Sequence, residues 1–158
     1  HLIRNAHMSV DELDTLFNKR SGMMGLTGFG DLREVHRLVE EGNEDAKLAL
    51  DIYVHRIVGY IGNYTAQMGG VDVITFTAGV GENDDVVRKM VCDKLAPFGV
   101  KLDEEKNATR SKEPRIISTP DSAVTICVIP TNEELAIARK SAAIAEEGKD
   151  SYGNVFSK

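Results

Sequence analysis

Three stretches carry residue types that could do chemistry. The first is Thr77-Ala78-Gly79-Val80-Gly81-Glu82-Asn83, which follows a β-branched run and precedes a helical pattern. Gly79 and Gly81 let a backbone come close to a ligand, and the start of the next helix offers unpaired N–H groups. The stretch lacks the GxxxxGK[ST] spacing and the third glycine of GxGxxG, so it is neither a Walker loop nor a good dinucleotide fingerprint. Glu82, Asp84 and Asp85 put carboxylates where those motifs seat phosphate. Carboxylates repel phosphate unless a metal intervenes, so the stretch is expected to hold the base and ribose hydroxyls of a nucleoside. The alternative is a tight turn with Asn83 as the N-cap of the helix.

The second stretch is Thr131-Asn132-Glu133-Glu134, at the end of an apolar run. Thr131 and Glu134 have the spacing of a capping box, which leaves Glu133 without structural work. Glu133 could hold a hard divalent cation, or simply complement the helix dipole. The third is Asp31-Leu32-Arg33, which presents a carboxylate and a guanidinium to a polar ligand or, equally, an N-cap to a helix. His1, His7, His36 and His55 lack metal-ligand spacing. Cys92 and Cys127 form no CxxC pair and are expected to be buried free thiols, as in a reducing compartment.

The elements that must position these residues follow from periodicity. Ser9 and Glu12 form a capping box for a short helix with Leu13, Leu16 and Phe17 inward. Four glycines between residues 22 and 30 predict a loop. A helix is predicted over 31–41, closed by Gly42. Another, over 45–68, is apolar on more than one side, with Gly59 and Gly62 suited to a close helix crossing. Strands are predicted at 71–76, 100–102, 115–118 and 123–129, helices at 84–98 and 133–146, and a turn or half-helix at 103–107. This order is α/β. Ligands in such folds bind beyond the carboxyl ends of strands, so the loops after Phe76 and Ile129 are predicted to build one site together.

Composition narrows the classes. The chain has 158 residues, 42% hydrophobic and 28% charged, which suits a folded domain or slightly more and excludes overall disorder. A net charge of −6 disfavours nucleic-acid binding. No apolar run reaches membrane-spanning length and no leader is visible, so no membrane association is expected and the cytoplasm is the default location. His at position 1 hints at a processed or excised segment.

Phe76-Thr77-Ala78-Gly79-Val80-Gly81-Glu82-Asn83 with Val87-Arg88 resembles the C-terminal signature of the acetate kinase family. Val128-Ile129-Pro130-Thr131-Asn132-Glu133-Glu134-Leu135 resembles its last strand and helix, and Asn18 to Gly22, Gly28 and Asp31-Leu32-Arg33 fall in family order. The resemblance implies a ribonuclease-H-like, actin-like ATPase domain, with a mixed sheet flanked by helices over 1–147 and a polar tail over 148–158. It implies ATP/ADP and Mg2+ as cofactors, with Asp31, Leu32, Arg33, Gly79, Val80, Gly81, Glu82 and Asn83 at the adenosine pocket and Glu133 at the magnesium site. No catalytic residue of phosphoryl transfer is expected in the chain, because the family's catalytic arginines, histidines and acyl pocket precede this region. Acetate and acetyl phosphate would bind mainly to that missing half. A homodimer is implied, with propionate or butyrate kinase as the alternative activity and a non-catalytic actin-like module as the alternative class.

Overall fold

The computed structural model describes residues 1–147; the tail expected over 148–158 lies outside them. The chain divides into two compact units, His1–Val71 and Asp72–Lys158.

The first unit is helical: α1 (Leu2–Asn5), α2 (Val10–Lys19), α3 (Gly22–Thr27), α4 (Leu32–Glu40) and α5 (Glu44–Met68). The capping box of α2 forms as predicted, with the Glu12 N–H donating to Ser9 Oγ and the Ser9 N–H to the Glu12 carboxylate. The glycine-dense stretch is not a loop. Met23, Met24 and Leu26 sit inside α3 together with Gly25, where a Cβ would come within 2.7 Å of the Arg20 carbonyl oxygen, and Gly28 closes the helix at φ +77°. α3 and α4 pack on α5, and Val35, Ala46, Ala49, Leu50 and Val54 are buried. The two-sided burial expected of α5 does not extend along it. Ile52, Tyr60 and Tyr64 are exposed, and a Cβ on Gly59 or Gly62 would meet nothing within 4 Å, so no helix crosses there among the described residues.

The second unit holds a mixed sheet of β1 (Val73–Phe76), β2 (Arg115–Ile116) and β3 (Thr125–Val128), in the order β1-β3-β2. β3 runs parallel to β1 and antiparallel to β2. The helices are α6 (Ala78–Asn83), α7 (Asp85–Lys94), α8 (Glu104–Ala108) and α9 (Glu133–Glu147). The helix predicted over 84–98 stops short, because Pro97 has no N–H to continue it; a 3-10 turn over Ala96–Phe98 and Gly99 at φ +81° finish the segment. The strand predicted at 100–102 is reduced to one bridge, Leu102 to Ser118. Val87, Val91, Leu95, Ile117, Ile126 and Val128 form the core. Both cysteines are free. Cys92 is buried, which pushes its thiol up to about 11, whereas Cys127 is half-buried rather than fully covered. No described helix is long and apolar enough to cross a membrane.

Candidate functional site

The β1–β3 register aligns Phe76 with Val128, and the Ile129 N–H donates to Phe76 O at 2.9 Å. The two strand ends are therefore level, and the segments leaving them emerge side by side, as the strand-end rule predicts. The segment after β1 is not a turn but the short helix α6.

The two segments are tied together by side chains. Glu82 Oε1 accepts the main-chain N–H and the hydroxyl of Thr131, each at 2.8 Å. The Thr131 hydroxyl in turn accepts the Ala78 N–H at 3.1 Å. With its single proton committed to Glu82, Thr131 Oγ1 is also the acceptor in its 3.2 Å contact with Thr77 Oγ1. The Thr131 N–H, then the Thr131 hydroxyl, and to a lesser degree the charge of Arg115 hold the Glu82 carboxyl below the usual carboxylate range. Ala78 sits at φ +59°, a left-handed conformation uncommon for a residue with a side chain.

Two capping expectations are corrected. Thr131 does not cap α9, because its hydroxyl is engaged with Glu82; Asn132, one position on, accepts the Leu135 N–H at 2.9 Å and caps the helix instead. Asn83 does not cap α7 either. Asp84 accepts the Val87 N–H at 2.9 Å, while Asn83 folds back and donates from Nδ2 to Gly79 O at 2.8 Å. The Asn83 Oδ1 makes no hydrogen bond with the described residues.

Between the tied segments lies an open cavity of about 530 Å³ lined by Ala78, Gly79, Glu82, Lys112, Thr131 and the Asn132-to-Glu134 stretch. The two glycines of α6 differ in role. A Cβ on Gly79 would meet nothing within 4 Å, so Gly79 opens onto free space. A Cβ on Gly81 would come within 3.2 Å of the Phe76 carbonyl carbon, so Gly81 lets the helix sit tightly against the end of β1. Glu133 is exposed and makes no hydrogen bond or ion pair with the described residues. The same is true of Lys112, the cavity's one basic lining residue among those described. Sequence reasoning missed Lys112, which lies in a stretch with no helix or strand period to point at it.

The cavity thus brings together Gly79, Glu82 and Glu133 of the predicted residues. Val80, Gly81 and Asn83 share α6 with Gly79 and Glu82 without lining the cavity. Asp31, Leu32 and Arg33 stand on the first unit, where the N-cap reading is realised. The Asp31 carboxylate accepts the Arg33 N–H at 2.9 Å and is clasped by the Arg33 guanidinium, with Nε at 3.0 and 3.1 Å from its two oxygens. That side-chain clasp first, and the main-chain bond second, hold Asp31 down at about 2. Among the described residues no group of three or more His, Cys, Asp or Glu could enclose a metal ion. A cation held here by Glu133 would therefore complete its shell largely from water and ligand oxygens. That suits Mg2+, which keeps several waters and is usually bound through one or two carboxylates plus phosphates.

A model of the acetokinase family matches residues 1–139. The acetate kinase of Leifsonia xyli subsp. xyli is 55% identical over 141 residues, covering 89% of this chain and 36% of that protein. The acetate kinase of Corynebacterium efficiens is 52% identical, covering 92% and 37%. Among solved structures, Porphyromonas gingivalis acetate kinase matches with a TM-score of 0.81 at 40% identity, over 92% of this chain and 37% of that one. A propionate kinase from Francisella tularensis subsp. tularensis matches with a TM-score of 0.78 at 38% identity, over 87% and 35%. The chain spans about 36% of the length of the first of these relatives. The fold expected from the resemblance, an α/β domain with a mixed sheet flanked by helices, agrees with these neighbours.

Proposed function

The chain belongs to the acetokinase family, and from that premise we propose that it carries the nucleotide side of an acetate kinase. The reaction is reversible transfer of the γ-phosphoryl group of ATP to acetate, giving acetyl phosphate and ADP. The observation that carries the proposal is the pair of strand-end segments, tied by Glu82 and Thr131 around a cavity that exposes Gly79, Lys112 and Glu133.

Gly79 would give the nucleotide close approach to the backbone, and Asn83 would offer its unpaired Oδ1 to adenosine. Asp31, Leu32 and Arg33 would take part in nucleotide binding on the strength of the family resemblance alone. Glu133 would hold Mg2+, directly or through water; when bound, the ion neutralises charge on phosphate oxygens. Acetate is ionised at neutral pH, so its attack needs no general base, and catalysis rests on alignment and charge neutralisation. The remaining length of the relatives would supply the acyl pocket and the cations around the transferring phosphate. The 158-residue chain then binds adenosine nucleotides weakly and does not turn over. A homodimer and a cytoplasmic location belong to the same reading.

Calorimetric titration with Mg-ADP tests it. Asn83→Ala and Arg33→Ala are each expected to weaken binding roughly three- to tenfold, the scale of one lost polar contact; unchanged affinity in both would sink the adenosine-pocket assignment. Acetyl hydroxamate formed by the 158-residue chain alone would refute its inactivity. The likeness to a propionate kinase supports a second reading, in which the acyl chain is longer. Full-length turnover on acetate, propionate and butyrate separates the two.

A further inference from the structure

Arg88 is the largest fully buried side chain among the described residues, with 2% of its surface exposed, and the roles assigned above do not use it. Its guanidinium meets no carboxylate at hydrogen-bond distance in the network it builds. Nη1 donates to Gly81 O at 2.9 Å and to Glu82 O at 3.0 Å. Nε donates to Asn107 Oδ1 and Nη2 to Asn107 O, both at 2.7 Å. Asn107 is itself buried and donates from Nδ2 to Asp85 O at 2.9 Å, so α8 holds the guanidinium in one orientation.

The two carbonyls on Nη1 are special. Gly81 and Glu82 lie in the last turn of α6, where carbonyls have no partner further along the helix. The chain turns to an extended conformation at Asp84 before α7 begins, so these carbonyls cannot join the next helix. A cation at a helix C-terminus satisfies both oxygens and the negative end of the dipole at once. The planar fork of arginine, with five donors in fixed directions, can serve two carbonyls and Asn107 together.

Glu82 is thereby gripped at its main chain by Arg88 and at its carboxylate by Thr131, two residues before Glu133. We propose that Arg88 is the positioning residue of the nucleotide site: by holding the carbonyls of Gly81 and Glu82 it aims the Glu82 carboxylate at Thr131, and so sets where the Thr131–Glu133 segment stands against α6. The functional part of this inference rests on the nucleotide-site reading above. The mechanical part does not.

Amide hydrogen exchange on the 158-residue chain, without nucleotide, tests the mechanical part. Arg88→Lys keeps the charge and most of the stem but loses the fork. The Thr131 and Ala78 amides, which report the tie, are expected to exchange about tenfold faster, while the Ile117 amide of the β2–β3 ladder stays within about twofold. Glu82→Gln is expected to loosen the same two amides, and adding Arg88→Lys to it to change them little further, since both act through one contact. Unchanged Thr131 and Ala78 amides, uniform loosening that includes Ile117, or additive effects of the two substitutions would each overturn the proposal. If Arg88→Lys does not fold, Asn107→Ala, which removes the acceptor from Nε, takes its place: the same selective loosening is expected, and the same three results would overturn the proposal. Failure of the chain to bind Mg-ADP would remove the nucleotide reading and leave the exchange result to judge the positioning.

Discussion

Glu82 and Thr131 meet through one carboxylate oxygen, Oε1, which takes both the N–H and the hydroxyl of Thr131. The folded state holds the Glu82 carboxyl below its ordinary value. The stabilisation from this tie is therefore complete above the ordinary carboxylate range and is lost as the pH falls through the lowered value. The Thr131 amide signal should move as the pH is taken down through that range, and it should stay fixed in Glu82→Gln. A Thr131 signal that titrates alike in both proteins would contradict the tie.

Gly79 and Gly81 should respond oppositely to alanine. Gly79→Ala places a methyl in open space within a helix and is expected to leave stability unchanged or to raise it by about 0.5–1 kcal/mol. It also narrows the cavity and should weaken Mg-ADP binding. Gly81→Ala pushes against the Phe76 carbonyl and is expected to cost about 1–3 kcal/mol. Urea melts of both variants, with ADP titration of the first, decide the matter.

Ala78 is held left-handed, at φ +59°, where an L-residue carries a penalty of about 1–2 kcal/mol that glycine escapes. Allowing for the greater entropy glycine loses on folding, Ala78→Gly is expected to stabilise the chain by about 0.5–1 kcal/mol. A lower melting temperature for this variant would show that the Ala78 methyl has a packing role that outweighs its strain.

Lys112 is a cation without an ion-pair partner among the described residues, and it lines the cavity with Glu82 and Glu133. Lys112→Gln should reduce affinity for Mg-ADP roughly three- to tenfold, with a smaller salt dependence, and leave adenosine binding unchanged. Equal losses for ADP and adenosine would place Lys112 away from the phosphates.

The exposed stripe of Ile52, Tyr60 and Tyr64 on α5 supports the proposed homodimer. Light scattering should return twice the chain mass, and Tyr60→Glu should shift it to one chain with the helical signal retained. A single-chain mass at every concentration would count against dimerisation through this region.

Much of the architecture was legible in the sequence because it follows local rules. The β-branched runs ending at Phe76 and Val128 mark strands, and the strand-end rule put the two following segments together without knowledge of distance. The failures at Thr131 and Arg88 come from partners that lie far apart in sequence. Thr131 has the spacing to cap α9, but it is claimed by Glu82, 49 residues away, and no local pattern registers that competition. Arg88 was visible as part of a motif, while its burial depends on Asn107, which the sequence shows only as the end of a short turn. The glycine density around residue 25 points to a loop, although the segment from Gly22 to Thr27 is helical and takes Gly25 into its interior beside Met23, Met24 and Leu26.

The parallel pairing of β1 with β3 also dictates when the cavity can come into being. Parallel strands cannot be joined by a hairpin, so α6, α7, α8 and β2 must all be laid down before β3 reaches its place. The entropy of closing so long a segment is spent before any contact at the strand ends returns it. A chain emerging from the ribosome therefore has no cavity until the residues after β3 have followed it out. A ligand that grips both segments would bind finished copies of this unit and ignore partial ones, which makes ligand retention a direct assay of completed folding.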